Sequence, residues 1–198
     1  MPKLLHQSLQ DYRLILASKS PRRQELLKGL DLDFTIQTID VEENYDEHLQ
    51  KEAIPIFLAS SKANAAINTL KEKDILITAD TIVWADNKAF NKPKDKQEAI
   101  AMLRALSGST HSVITAVQLT STQKSHSFFS ETEVHFSTLF EEEINYYVEH
   151  YRPFDKAGAY GIQEWIGYIG IKKISGSYFN VMGLPVHQLY AALKIFVD

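Results

Sequence analysis

The chain of 198 residues has no cysteine, only two tryptophans, eight glycines and six prolines. The missing thiols exclude disulfides, cysteine nucleophiles, iron–sulfur clusters and cysteine-ligated zinc together, and a cysteine-free chain fits the cytoplasm. No apolar run approaches the roughly 18 to 20 residues that a membrane-spanning helix needs. The N-terminus is polar up to the short run Leu14 to Ala17, so neither a signal peptide nor a membrane anchor is expected. Excess positive charge is lacking too. Lys+Arg 21 against Asp+Glu 25 leaves a formal net charge of −4. That balance disfavours broad capture of nucleic acid, which needs a dense basic surface, so any phosphate-binding cations must be gathered in one place. With 44% hydrophobic and 23% charged residues, the composition excludes disorder and a collagen-like chain and supplies enough apolar side chains for a sizeable core.

Several catalytic signatures are absent as well. The seven histidines show no His-Glu-x-x-His spacing, and there is no Walker A sequence, no Gly-x-Gly-x-x-Gly and no Gly-x-Ser-x-Gly. Zinc protease, P-loop NTPase, dinucleotide dehydrogenase and esterase readings therefore lose support.

What is present is an alternation of strand-like and helix-like apolar periods along the whole chain, which predicts an α/β fold. Strands are expected at Arg13 to Ala17, Phe34 to Ile39, Ile75 to Trp84, Thr110 to Thr120, Ser125 to Phe136 and Ile166 to Ile174. The two joined by the polar Ser121 to Lys124 turn are expected to pair antiparallel, making the sheet mixed. Ser20 before Pro21 signals a helix start, with Leu26, Leu27 and Leu30 as its buried stripe. Ile56 to Leu70 has one apolar helical face, and Asp95 with Glu98 and Thr138 with Glu141 have capping-box spacing. A last helix begins at Leu184-Pro185.

Ser18-Lys19-Ser20-Pro21-Arg22-Arg23 places two hydroxyls and three cations between a strand end and a helix N-terminus. Free backbone N–H groups and the positive dipole end favour an anion there, and arginine adds charge-assisted bonds to phosphate oxygens. An ordinary capped helix with solvated basic residues accounts for the same letters equally well. Asp80 interrupts a buried apolar strand, where an ionised carboxylate costs several kcal/mol unless a cation or hydrogen bonds satisfy it. A metal ligand or general base is one reading and a structural salt bridge the other. Glu42 and Glu43 lie in the acidic stretch Asp40 to Asp46, which is either a solvated loop or the second carboxylate of a Mg²⁺ site, since Mg²⁺ takes one or two carboxylates plus phosphates and water. Lys62, Lys92 and the group Gly158, Gly161 and Gln163 each carry little alone. Phosphate with a divalent metal is the chemistry that survives.

The stretches Leu16-Ala-Ser-Lys-Ser-Pro-Arg-Arg-Gln-Glu-Leu-Leu27, Ala79-Asp-Thr-Ile-Val83, Lys92-Pro93, Leu106-Ser-Gly108 with His111, Asp155-Lys-Ala-Gly-Ala-Tyr-Gly-Ile-Gln163 and Gly176-Ser-Tyr-Phe-Asn-Val-Met-Gly-Leu-Pro185 stand in fixed order. Through them the chain strongly resembles the Maf family of nucleoside triphosphate pyrophosphatases, from about Arg13 to Phe196. Residues 1–12 are then an N-terminal extension, and 13–198 a single domain. The resemblance implies a mixed, twisted sheet with flanking helices and a central cleft, similar to inosine triphosphate pyrophosphatases. It implies hydrolysis of a nucleoside triphosphate to the monophosphate and pyrophosphate, helped by Mg²⁺ or Mn²⁺, and it suggests a homodimer.

On the same resemblance Asp80 matches the proton acceptor, and Glu43, with Asp80, holds the metal. Ser18, Arg23, Lys62 and Lys92 match residues facing the phosphates. Arg22, Thr81 and Gln163 match the positions separating family branches, and all three look like the branch acting on dTTP and UTP. The imide of uracil or thymine shows an N–H beside a carbonyl, which a glutamine amide can match as acceptor and donor. Glu164-Trp165 depart from the small residues that usually follow the glutamine. The alternatives are a pyrophosphatase for 7-methyl-GTP or for modified nucleotides broadly, and a non-catalytic nucleotide- or DNA-binding regulator of septum formation.

Overall fold

The computed structural model describes residues 4–197. Its strands are β1 (Arg13–Leu16), β2 (Phe34–Ile36), β3 (Asp74–Ala85), β4 (Lys88–Phe90), β5 (Thr110–Thr120), β6 (Ser125–Phe136) and β7 (Ile171–Ser175), and its helices are α1 (Leu5–Ser8), α2 (Pro21–Lys28), α3 (Ala53–Ala66), α4 (Lys96–Leu106), α5 (Glu141–Tyr151), α6 (Trp165–Gly170), α7 (Tyr178–Met182) and α8 (Val186–Val197). The strands form one sheet in the order β2-β1-β3-β5-β6-β7, with β4 also paired to β3. Parallel pairing of β1 with β2 and β3, and antiparallel pairing of β3 with β4 and β6 with β7, make it the mixed α/β sheet expected.

The chain divides into two compact units. The first comprises Met1–Asp80, Thr115–Ser130 and Gly183–Asp198. Here β1 and the start of β3 are buried on both faces, as central parallel strands must be. Ile15, Ala17 and Leu76 pack with Ala63 and Ala66 of α3, while the alternate residues Leu14, Leu16, Ile75 and Ile77 are equally buried. The small side chains let α3 approach the sheet closely enough for the Thr78 hydroxyl to donate to the Ala59 carbonyl at 2.8 Å. Arg13 grips the buried Asp74 with both arms, at 2.9 and 2.6 Å. Part of the N-terminal extension belongs to this core: Leu5 and Leu9 are buried, and α1 packs on α8.

The second unit comprises Thr81–Ile114 and Glu131–Met182. Its core joins Val83 and Phe90 to the apolar stripe Ala99, Met102, Leu103 and Leu106 of α4, to Ile144, Tyr147 and Val148 of α5, and to Tyr160, Ile162 and Ile166.

Local differences from the expectations have physical reasons. The stretch Ile166 to Ile174 is not one strand. Its first half is α6, where Gly167 lies so close to the Ile162 backbone that a Cβ would sit 1.9 Å from the carbonyl oxygen, and only Ile171 onward reaches β6. The Thr138–Glu141 signal fails because α5 starts at Glu141, and it is Glu143 that accepts from the Phe140 N–H at 2.7 Å. α3 starts earlier than expected, at Ala53, and ends in a 3-10 turn at Ile67–Thr69. The β3–β4 hairpin turns at Asp86 and Asn87, both at positive φ, the conformation Asn and Asp tolerate best after glycine.

Candidate functional site

In the first unit the chain leaves β1 at Leu16 and enters α2 at Pro21. The Ser20 hydroxyl caps that helix by accepting from the Arg23 N–H at 3.5 Å. Ser18 is buried, its hydroxyl accepts from the Ser20 N–H at 3.2 Å, and its carbonyl accepts from Gln24 Nε2 at 3.2 Å. The three cations of this segment diverge in their duties. Lys19 pairs with the exposed Asp40 at 2.6 Å. Arg23 turns inward, donating from Nε to the Gly183 carbonyl at 2.8 Å and from Nη1 to the Ala79 carbonyl at 2.9 Å. Burial lowers the Arg23 pKa, and the charges of Asp80 and Glu43 pull it back up. Arg22 is half-buried.

Asp80 lies in the middle of β3 rather than at its end. Pairing with β1 stops at Ile77 and pairing with β4 begins at Val83, so Asp80 occupies the stretch between those two ladders. It is 7% exposed. A carboxylate so enclosed needs a counter-charge, and Lys62 of α3 supplies it: Nζ lies 2.5 Å from Asp80 Oδ1 and 3.0 Å from Glu43 Oε1. The structural salt bridge weighed for Asp80 therefore exists, and it includes Glu43. Glu42 instead accepts from the Asn44 amide at 3.0 Å, which separates the two neighbouring acids. Two carboxylates from distant segments thus converge on one cationic position. Among the described residues no three His, Asp or Glu side chains form a set able to hold a metal ion. A divalent cation taking two protein carboxylates would need substrate oxygens and water to complete its shell, and Mg²⁺ accepts that donor set.

The second unit holds Thr81, Lys92 and Gln163. Thr81 follows Asp80 in β3, and Lys92 is exposed before the buried Pro93. The Gly158 N–H donates to the carbonyl of Asn91, next to Lys92, at 3.2 Å. Gly158 has φ 68°, and a Cβ there would lie 2.8 Å from Val83 Cγ2, so the loop and β3 meet without a side chain between them. Gln163 is half-buried, and its Oε1 is enclosed with no hydrogen-bond partner. An orphaned buried acceptor costs about 1–3 kcal/mol, a cost that a donor on a bound molecule would remove.

Sequence reading missed the groups around that loop. Lys156 is buried and bonds Asp155 at 2.7 Å and Glu164 at 3.1 Å. Glu164 also accepts from the Tyr147 hydroxyl, which in turn accepts from the Gly161 N–H at 3.0 Å. Asn180 is fully buried and donates to Val113 O and Thr132 Oγ1, each at 3.0 Å. Lys156 and Asn180 stand inside motifs already visible in the sequence, whereas Tyr147 reads as one more apolar position of an amphipathic helix.

A family model described as Maf-like protein matches residues 13–196. A dTTP/UTP pyrophosphatase of Bacteroides fragilis is 53% identical, covering 94% of this chain and 97% of its own length. One of Bacteroides thetaiotaomicron is 51% identical over the same shares. Among solved structures, the Staphylococcus aureus Ham1 protein matches 93% of this chain and 99% of its own, with a TM-score of 0.55 at 15% identity, a likeness of fold.

Proposed function

Because the chain belongs to the Maf-like protein family, we propose that it is a nucleoside triphosphate pyrophosphatase acting on dTTP and UTP. Relatives of that name at 53% and 51% identity over nearly the full chain support the activity and the substrate pair. The observation that carries the chemistry is the convergence of Asp80 and Glu43 on the Lys62 ammonium, at 2.5 and 3.0 Å.

In this reading Asp80 accepts the proton of a water whose oxygen bonds to the α-phosphorus as the bond to the bridging oxygen of the β-phosphate breaks. The products are the nucleoside monophosphate and pyrophosphate. Glu43 and Asp80 are the residues that would hold Mg²⁺ or Mn²⁺. When bound, the ion supplies neutralisation of phosphate charge as a Lewis acid. Lys62, Lys92, Arg23 and Ser18 bind and orient the triphosphate, so catalysis rests on positioning and electrostatics. Arg23 suits a fixed role because two backbone carbonyls hold its guanidinium plane. Arg22, Thr81 and Gln163 select the base. The orphaned Gln163 Oε1 supports that role, since the imide N–H of uracil or thymine is the donor it lacks.

The test is product analysis with UTP and dTTP, with and without added Mg²⁺ or Mn²⁺. Monophosphate and pyrophosphate should appear in equal amounts and only with the metal. Release of inorganic phosphate and a diphosphate, or unchanged turnover in EDTA, would contradict the reading.

A further inference from the structure

We propose that Glu164 is a positioning residue for base selection: clasped by Lys156 and Tyr147, it fixes the loop that presents Gln163. The proposal rests on the base-reading role of Gln163 given above and extends it to a residue that does not touch the nucleotide.

The loop from Gly161 to Glu164 is closed twice. Its main chain is closed by the Glu164 N–H donating to the Gly161 carbonyl at 3.0 Å. Its side of the clasp is closed by the Glu164 carboxylate, which takes Lys156 Nζ at 3.1 Å and the Tyr147 hydroxyl, and that hydroxyl receives the Gly161 N–H at 3.0 Å. The carboxylate folds directly over Gly161, where a Cβ would stand 2.8 Å from Glu164 Cδ. A Cβ at 161 would press on the carboxylate and force it to shift from the position in which it meets both partners.

Gln163 sits inside this closed turn. With Oε1 unpartnered, no hydrogen bond to that oxygen holds the amide, which gives the backbone on either side of it a larger share in setting where the amide points. Lys156 is buried and Tyr147 fully so, which makes the clasp stiff: withdrawing the carboxylate leaves an enclosed ammonium without its inner partner. A displacement of about 1 Å in a recognition group can cost up to ~10²-fold, so losing the clasp should be read in selectivity.

The experiment measures kcat and KM for UTP and GTP, with melting temperature, in the wild type, Glu164→Ala, Glu164→Gln and Gly161→Ala. Glu164→Ala should raise the KM for UTP about tenfold, change kcat less than about threefold, and lower the UTP-to-GTP ratio of kcat/KM about tenfold. Gly161→Ala, which keeps Glu164 but displaces its carboxylate, should do the same. Glu164→Gln still offers an acceptor to Tyr147 and should recover most of the ratio. A folded Glu164→Ala with an unchanged ratio, whatever its melting temperature, overturns the proposal. If that variant does not fold, Tyr147→Phe decides, because it breaks the bonds to Glu164 and Gly161 and must move the ratio in the same direction. Gln163→Glu separates the two levels. If it leaves the ratio untouched, the base-reading role has failed and the clasp falls with it; if it moves the ratio and Glu164→Ala does not, the clasp alone has failed.

Discussion

The two units each build a three-membered polar cluster around one central charge, and the centres have opposite sign. In the first unit the centre is a cation, Lys62, between Asp80 and Glu43. In the second it is an anion, Glu164, between Lys156 and Tyr147. The first cluster opens to solvent at Glu43, whose side chain is 40% exposed, while the Lys156 side chain in the second is 9% exposed. In the first cluster the two carboxylates come from separate segments and face one ammonium. A carboxylate folded over Gly161 cannot leave without breaking its bonds to Lys156 and Tyr147. In the proposed reading the first cluster serves chemistry at phosphate and the second serves selection of the base.

The sharpest way to break this contrast is at Asp80. Asp80→Asn preserves the volume and a hydrogen-bond acceptor for Lys62 but removes one of the two negative charges flanking that ammonium and, with it, the proposed proton acceptor. Turnover of UTP should fall on the order of 10²- to 10⁴-fold, the range for a positioned acid–base group, with the fold intact by circular dichroism. Activity within a few-fold of wild type would make the first cluster a salt bridge and nothing more. At Gln163 the expected effect is smaller. Gln163→Glu keeps an acceptor but loses the amide donor, so kcat/KM for UTP and dTTP should drop about 10- to 100-fold relative to GTP, with kcat for GTP preserved. Equal losses on all three nucleotides would show that the residue supports the loop without reading the base.

Of the first cluster, Asp80 alone is conspicuous in the sequence, as a charge inside an apolar strand. A lysine off the apolar face of its helix and an acid in an acidic loop are ordinary where they stand, so Lys62 and Glu43 are singled out by the resemblance and not by their local pattern. The choice between Glu42 and Glu43 could not be read from composition, since it depends on which side chain faces Lys62 after folding. The second cluster breaks no rule. Tyr147 belongs to a regular amphipathic helix, and Glu164 precedes the stretch misread as strand. There the chain makes a helical turn in which Gly167 packs on the Ile162 carbonyl, a contact that apolar periodicity does not reveal. The sheet was legible where strands are long and apolar, as in β3 and β5. Only the three-residue hairpin arm β4, bounded by a tight turn at Asp86 and Asn87, escaped.

The smallest effect distinguishes the units by how they respond to acid. In the second unit His111 is 3% exposed, packs edge-on against Phe136 and Tyr160, and shares a 2.8 Å hydrogen bond with the Tyr160 hydroxyl. Burial, aided by the charge of His135, pushes its pKa down to about 4. In the first unit the Asp74 pKa is lowered chiefly by its hydrogen bonds to Arg13. The signs then place two windows. His111 is neutral when folded but takes a proton more readily when unfolded, so its share of stability is full above about pH 6.5 and is lost as pH falls towards 4. Asp74 gives its share above roughly pH 3.9, the ordinary carboxylate value, and loses it on further acidification through its lowered folded pKa. Between pH 7 and 5.5, urea unfolding should therefore show a loss of about 1 kcal/mol from His111. His111→Phe should flatten that slope while leaving the steeper fall below pH 4, whereas Asp74→Asn should soften the fall below pH 4 and leave the higher slope in place. A wild-type profile flat from pH 7 to 5.5 would mean that solvent reaches His111 and that the second core is looser than its packing indicates.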